Sequence, residues 1–408
     1  MNVTIRSGTK HTRWLSSITA LLLVFFAVTM LGYGLDFTVA TSYDRAFPDK
    51  WIYGSSSSLQ SLSANDTVYH GVPINVYIFF QQYARNSFGI TDISFSYKIL
   101  RSNGTPVTES TGIPAFTGIV YPDDDILLSR NSPRISFSKK EVQGNYTLVV
   151  TAEDKINDAK KTISKTIILS KYPQMDPDRF DVVSFNVWVH NYCIAPDPGR
   201  AVSAFAWFIN SKSSNDDRVF WPVFYFFQSL FTDNPSLVEE LIGTFPHASK
   251  RFQEYTVMLV RLIQVKRNGK WPITDALWKS FDKVTRTGYL DPFTVTLKSG
   301  SAQYMEMGFY CYGHYAMVRF LIECCGLNTQ AGYDEFVKRC DEYVKGCEAF
   351  IDKKIALKLC ADAKLILSKA YNKHKLIHAY CDFALANDTV SPYVKKVVAD
   401  LINGGLGK

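Results

Sequence analysis

Two short segments of the chain carry the four side chains that a tetrahedral zinc site requires. His190 and Cys193 lie in the first segment, and Cys311 and His314 lie in the second. Thiolate and imidazole are preferred ligands of Zn²⁺, and each pair could chelate a metal from one turn. The two segments are far apart in the chain and lack the compact spacing of zinc fingers. The spacing therefore favours two unrelated pairs of core or interface residues, and we predict no metal and no cofactor.

Two further clusters have metal-binding side chains. His374 and His378 lie one helical turn apart, with Cys381 following on the same face. Metallopeptidases have a glutamate directly after the first histidine as general base, and Lys375 occupies that place here, which favours packing or surface histidines. The run Asp123–Asp125 has the carboxylates that calcium prefers, although an isolated acidic turn is the commoner case.

An enzyme remains an alternative hypothesis. The sequence has no phosphate-binding glycine loop, no Gly-x-Ser-x-Gly elbow and no dinucleotide fingerprint. Triads are recognised by geometry, so this absence does not exclude catalysis. The alternative is an extracytoplasmic hydrolase or glycan-acting enzyme with its site around Trp271–Tyr315, and substitution of Glu306 or His314 would discriminate it from packing. Aromatic rings that could stack on sugars, or simply fill the core, are Trp278, Tyr304, Tyr310 and Tyr312.

The elements that must position these residues begin with an apolar segment at residues 14–35. A helix of that length spans about 30 Å of hydrocarbon. Basic residues precede it, at Arg6, Lys10 and Arg13, so the charge rule places the tail 1–13 in the cytoplasm. The segment therefore predicts a single-pass membrane protein with an N-terminal transmembrane helix and an extracytoplasmic bulk. A cleaved signal peptide, which has a shorter apolar core, is the alternative.

Residues 36–65 have no clear period and are interpreted as a juxtamembrane spacer. Across residues 66–170 apolar residues alternate with polar ones, as in half-buried strands. The two clearest stripes are Val72, Ile74, Val76, Ile78 and Ile93, Phe95, Tyr97, Ile99. The stretch Gly144–Asp154 has Gly-x-Tyr, alternating apolar residues and a final Asp, and it resembles the penultimate strand of bacterial immunoglobulin-like modules. This resemblance implies an antiparallel β-sandwich that acts as a rigid spacer.

The last part of the chain has the period of helices. Four prolines break residues 171–198, which we interpret as a linker. Residues 199–408 predict ten helices joined by short loops, an all-α helical array. The similarity of Ser301–Cys325 to Ala361–Leu385 resembles stacked hairpins of the HEAT or tetratricopeptide type, an α-solenoid-like arrangement.

One further resemblance concerns the helical part. Asp275–Trp278 and Thr287–Tyr289 are similar to helical segments of uncharacterised bacterial envelope proteins. That resemblance implies no activity.

Composition narrows the class of partner. The net charge of +7 comes from 45 basic and 38 acidic residues without a long run of either sign, which argues against a nucleic-acid binder. Seven of the eight cysteines fall between Cys311 and Cys381 in helical stretches, and we expect mostly free, buried thiols with one or two bridges. We therefore favour a multidomain, membrane-anchored scaffold with a protein partner in the envelope over the enzyme.

Overall fold

The computed structural model describes residues 34–53, 62, 64–120, 126–264, 271–281, 291–387 and 390–403. Within these ranges a β-rich unit comes first and a helical region follows. The β-rich unit has two sheets, of order β1-β3-β6 with β7 also on β3, and β2-β9-β8-β4-β5. The strands are β1 Asp36–Ser42, β2 Thr67–Tyr69, β3 Ile74–Gln82, β4 Ile90–Leu100, β5 Pro106–Ile119, β6 Leu127–Leu128, β7 Arg134–Ile135, β8 Gly144–Asp154 and β9 Ala159–Ser170.

The β-rich unit is a curled half-barrel, and the prediction of an immunoglobulin-like sandwich is wrong. The register between β4 and β5 shifts three times, and each such irregularity adds twist and bend to a strand. The strand β1 comes from the predicted spacer and pairs with β3, while β2 and β9 pair in parallel. The alternating pattern located β3 and β4, but it missed β1, and it carried no information on bulges or on the partner of each edge.

A short helix, α1 Phe47–Tyr53, follows β1 and covers β3. The ring of Phe47 lies 5.1 Å from that of Tyr77, and Tyr77 is 2% exposed. Tyr77 lies between Val76 and Ile78 of the alternating stripe, so the pattern predicts that its side chain faces away from the core. It is buried because α1 supplies a second apolar layer on that side of β3.

The helical region contains thirteen α-helices among the described residues. They are α2 Val182–Asn191, α3 Ala201–Asn210, α4 Asp217–Asp233, α5 Ser236–Gly243, α6 Lys250–Leu262, α7 Asp275–Ser280, α8 Pro292–Ser299, α9 Gln303–Tyr312, α10 Tyr315–Cys324, α11 Gln330–Arg339, α12 Lys353–Ala370, α13 Lys375–Ala386 and α14 Pro392–Ile402. The helix α9 packs against α2, α4, α8, α10 and α12. In a solenoid each repeat contacts only its neighbours in sequence, so the α-solenoid-like prediction is also wrong.

The predicted membrane anchor at residues 14–35 lies outside the described residues except for Gly34 and Leu35. Leu35 is 5% exposed and belongs to the hydrophobic core that the β-rich unit contributes to. In the described ranges no helix has both the length and the apolar character to cross a membrane. The predicted single-pass localisation, the membrane contact through an N-terminal helix and the extracytoplasmic bulk all depended on that helix, and the described residues do not support them.

Candidate functional site at the junction of the β-rich unit and the helices

A buried ion pair joins the two parts of the molecule. Lys50 on α1 is 2% exposed, and its Nζ lies 2.5 Å from the Oδ2 of Asp44, which is fully buried. The same ammonium donates to the carbonyl oxygen of Cys193 at 2.7 Å. Burial raises the pKa of Asp44 above its ordinary value, and the adjacent charge of Lys50 opposes that rise. The pair fixes how α1 sits on the helices, because an unpartnered charge there would be strongly unfavourable.

The helix α1 also caps a helix from the other part. The Oδ2 of Asp49 accepts the backbone N–H of Tyr315, the first residue of α10, at 2.9 Å. It also lies 3.2 Å from the Nδ1 of His314. A carboxylate at this position satisfies a free donor and complements the helix dipole. His314, a predicted metal or enzyme residue, thus contacts this cap.

Cys193 and His374 form a buried thiol–imidazole contact. The Cys193 Sγ lies 3.7 Å from the Nε2 of His374. That Nε2 is 2.9 Å from the carbonyl oxygen of His190, and because a carbonyl only accepts, Nε2 carries the proton. The Nδ1 accepts the N–H of Ile377 at 3.3 Å and so caps α13. Both imidazole nitrogens are engaged, and neither can take the thiol proton.

The pKa values of Cys193 and His374 also argue against transfer of the thiol proton to the imidazole. Burial raises the pKa of Cys193 to about 12 and lowers the pKa of His374 to about 4. At neutral pH the pair is therefore a thiol and a neutral imidazole. Nucleophilic catalysis requires the thiolate, so the arrangement serves packing and capping.

The four residues of the predicted zinc set lie in different contacts. Cys193 lies with His374, His314 lies with Asp49, and the ring of His190 packs 4.7 Å from that of Tyr310. Cys311 lines a cleft described below. In the part of the chain that the structure describes, His190, Cys193, Cys311 and His314 do not form a group of donor atoms close enough for one ion.

The predicted enzyme region is only partly described, since residues 282–290 are outside the described ranges. The Oε1 of Glu306 accepts the hydroxyl of Tyr310 at 2.9 Å, and burial raises the pKa of this carboxyl. The remaining aromatic side chains have partners in the packing. Trp278 lies under Arg261, Tyr304 meets Tyr225, and Tyr312 stacks on His314.

The other predicted clusters are separated or undescribed. His378 stacks on Tyr371 at 4.1 Å and pairs with Asp382 at 3.3 Å, so it does not join His374. Cys381 is buried and free. Asp123–Asp125 lie outside the described residues.

A cleft opens at the junction, next to the buried ion pair. We name it the junction cleft; it is lined by Tyr43, Arg45 and Arg134 from the β-rich unit and by Tyr192, Asp233 and Cys311 from the helices, among others. It encloses about 440 Å³, including space open to solvent, and its interior has room for about one water molecule.

Two guanidinium groups flank the junction cleft. Arg45 forms an ion pair with the carboxylate of Asp233 at the end of α4. The Nη2 of Arg134 donates to the backbone carbonyl of Asp233 at 3.0 Å. Partial loss of hydration next to the helices, followed by the nearby charge of Arg45, lowers the pKa of Arg134 to about 10. Within the described ranges no carboxylate pairs with Arg134, so its charge, unlike that of Arg45, is not neutralised by an ion pair.

Sequence reasoning missed Arg45, Lys50, Arg134 and Asp233. These residues are single charges in separate segments, and no spacing relates them. The one available signal was the apolar and charged pattern of Phe47–Tyr53, which fits a short amphipathic helix inside the region interpreted as a spacer.

Comparison with known proteins places the chain in no family. No protein-family model matches the sequence, and no curated protein matches it. One structure with local similarity is a family 123 glycoside hydrolase from Clostridium perfringens, with 9% identity, 36% of this chain and 28% of that chain covered, and a TM-score of 0.22. Another is the PmoD soluble domain from Methylocystis sp. ATCC 49242 (Rockwell), with 16% identity, 35% and 95% covered, and a TM-score of 0.16. The chain thus spans under a third of that hydrolase, and at such TM-scores neither similarity defines a shared fold. Neither the immunoglobulin-like nor the helical-repeat resemblance is confirmed.

Proposed function

We propose that this protein is a non-enzymatic binding protein whose junction cleft receives an acidic side chain of a protein partner. The observation that carries the proposal is the pair of arginines around Asp233. Arg45 and Arg134 bring two positive charges, and Asp233 neutralises one of them. A second carboxylate at the mouth of the cleft would remove the remaining repulsion between the guanidinium groups.

The guanidinium of Arg134 suits this role. It has five N–H donors, one of which the Asp233 carbonyl accepts. The planar group matches the two oxygens of a carboxylate, and such charge-assisted pairs are stronger than neutral hydrogen bonds. Arg134 is exposed, so a partner can reach it without opening the fold.

The dimensions of the cleft favour a single acidic group over a larger substrate. An interior with room for about one water molecule does not admit a sugar ring. The oxygens of an aspartate or glutamate side chain need only the mouth, where Arg134 lies. The state of Cys193 and His374 is consistent with binding, because the pair has no thiolate to attack a substrate.

The test uses the full chain and a fluorescent oligoglutamate peptide, with an oligoglutamine peptide of the same length as the uncharged probe. We expect preference for the oligoglutamate, and we expect Arg134→Gln to weaken its binding at least about tenfold, the loss of one charge-assisted pair. Arg134→Lys keeps the positive charge but removes the planar, forked arrangement of N–H donors, so it tests which of the two the binding requires. Arg218→Gln is the matched control, because Arg218 lies at the opposite end of α4 with 87% of its side chain exposed. Equal binding by wild type and Arg134→Gln would overturn the proposal.

A second candidate function is a glycan-acting enzyme that uses Glu306 as general acid. Burial raises the pKa of Glu306 above its ordinary value, and this favours the enzyme, because a carboxyl with a raised pKa keeps its proton to higher pH and can donate it to a leaving group. The test is hydrolysis of an oligosaccharide panel by wild type and by Glu306→Gln at matched folded concentration. Turnover that disappears in the variant supports the enzyme, and no turnover by the wild type excludes it for that panel.

A further inference from the structure

Away from the junction cleft, three metal-binding side chains meet in the loop between α11 and α12. Cys340 and Cys347 are joined by a disulfide, and both are fully buried. The carboxylate of Asp341 is exposed beside them. One donor atom from each residue lies within 4.8 Å of the other two.

The loop is held by hydrogen bonds that do not depend on the disulfide. The N–H of Val344 donates to the carbonyl of Cys340 at 2.9 Å, and the N–H of Cys347 donates to the carbonyl of Val344 at 3.0 Å. The N–H of Gly346 donates to the Oδ1 of Asp341 at 2.9 Å. Gly346 has φ +72°, a conformation that glycine adopts without strain, and it turns the chain immediately before Cys347. We therefore expect the two sulfurs to stay near each other after reduction.

The donor set matches a borderline divalent cation. Zinc takes thiolate and carboxylate ligands in tetrahedral geometry, and a water can complete three protein ligands. The Cα atoms of Cys340 and Cys347 are 5.9 Å apart, so both side chains can turn towards one ion without a large change of backbone. The exposed Asp341 gives the ion a route from solvent, and its Oδ1 bond to Gly346 leaves the second carboxylate oxygen for a metal.

The charged side chains near Asp341 pair with other residues. The guanidinium of Arg339 bonds to Glu323 at 3.2 Å and approaches Glu342 at 3.7 Å. Among the described residues no basic side chain forms an ion pair with Asp341 within 4.0 Å. The carboxylate is thus oriented by the loop and is available as a ligand.

We propose that reduction of the Cys340–Cys347 disulfide converts this loop into a binding site for one Zn²⁺ ion. A dithiol or phosphine reductant supplies two electrons and, with two protons, the S–S bond becomes two thiols. When Zn²⁺ binds, the two S–H bonds break, two Zn–S bonds form and two protons leave to solvent. Asp341 adds one oxygen ligand, and water fills the fourth position.

The test is titration of the full chain with Zn²⁺ and with Co²⁺, in reduced and oxidised forms, under anaerobic conditions. The expected result is one ion per reduced chain, with thiolate-to-cobalt charge-transfer absorption, and no such absorption in the oxidised chain. Asp341→Asn keeps the oxygen that Gly346 uses, and we expect it to weaken zinc binding at least about tenfold. Cys381→Ala, which removes a buried free cysteine elsewhere, should leave the titration unchanged.

Three results would overturn this site. The first is a reduced chain that binds no Zn²⁺, and the second is an oxidised chain that binds it equally well. The third is unchanged affinity in Asp341→Asn. The double variant Cys340→Ser/Cys347→Ser should lose the charge-transfer band, and if it does not fold, Asp341→Asn decides, because that variant retains the disulfide.

Discussion

Acidification should destabilise the fold through His374. This imidazole is 6% exposed, and burial holds its pKa near 4, against 6.5 for an exposed histidine. As the pH falls, the unfolded chain binds this proton first, so the contribution of His374 to stability is complete above pH 6.5 and is lost as the pH falls below that value. The difference between the two pKa values lowers the free energy of unfolding by about 2 kcal/mol at pH 5, and by about 3 kcal/mol below pH 4.

The measurement must isolate His374 from other titrating groups. Glu323 acts in the opposite direction, because burial raises its pKa to about 7 and the folded chain therefore takes up that proton first on acidification. The assay is urea unfolding, followed by tryptophan fluorescence, of wild type and His374→Asn. Asparagine can keep the cap on Ile377 but does not titrate. Between pH 7.5 and pH 5 the free energy of unfolding of the wild type should fall by about 2 kcal/mol relative to that of His374→Asn.

An internal control uses the same two proteins. Between pH 7.5 and pH 8.5 the imidazole is neutral in both states, so the difference between wild type and His374→Asn should stay constant. If that difference also stays constant down to pH 5, the account of His374 as a buried, neutral helix cap is refuted.

Three further predictions concern the junction. Lys50→Met should lower the free energy of unfolding by about 3–5 kcal/mol because it leaves Asp44 buried and unpaired. Adding Asp44→Asn to the same chain should restore part of that stability, and urea unfolding measures both variants. Asp49→Ala should lower the stability by about 1 kcal/mol through loss of the cap on α10, whereas Asp49→Asn should change it less, as read from the same curves. Gly313→Ala should destabilise more than Gly346→Ala in thermal unfolding: both have positive φ, but only at Gly313 would the new methyl lie 2.9 Å from the Cβ of Ala46. Equal losses at the two glycines would contradict the close contact.

The sequence predicted local structure where burial follows a simple period. Ile93, Phe95 and Ile99 are at most 1% exposed, as their alternation indicates. The helices α3 to α14 lie in the part with the longer period, but α2 lies inside the segment 171–198 that we interpreted as a linker. The failures arose at long range. The pattern of β1 is too short to distinguish from a spacer, and its identity as a strand depends on pairing with β3.

The site was less predictable than the fold. Cys193 and His314 were singled out for their chemistry, yet each has a partner from another segment, His374 and Asp49 respectively. Sequence spacing reports only neighbours within an element, whereas these contacts depend on how α1 and the helices come together. Asp233 illustrates the same limit, because its ion pair with Arg45 connects residues that no local motif relates.

The contacts of α1 impose an order of events on synthesis. Asp49 bonds to an amide 266 residues later in the chain, and the ring of Tyr53 packs 4.9 Å from that of Phe383. Because a ribosome releases the N-terminal segment first, α1 exists long before its partners, and contacts of such separation form slowly. The side of α1 that these two residues form therefore remains uncovered in the nascent chain until α10 and α13 have been made. We expect chains truncated before Phe383 to aggregate or to require chaperones, although every strand of the β-rich unit is present.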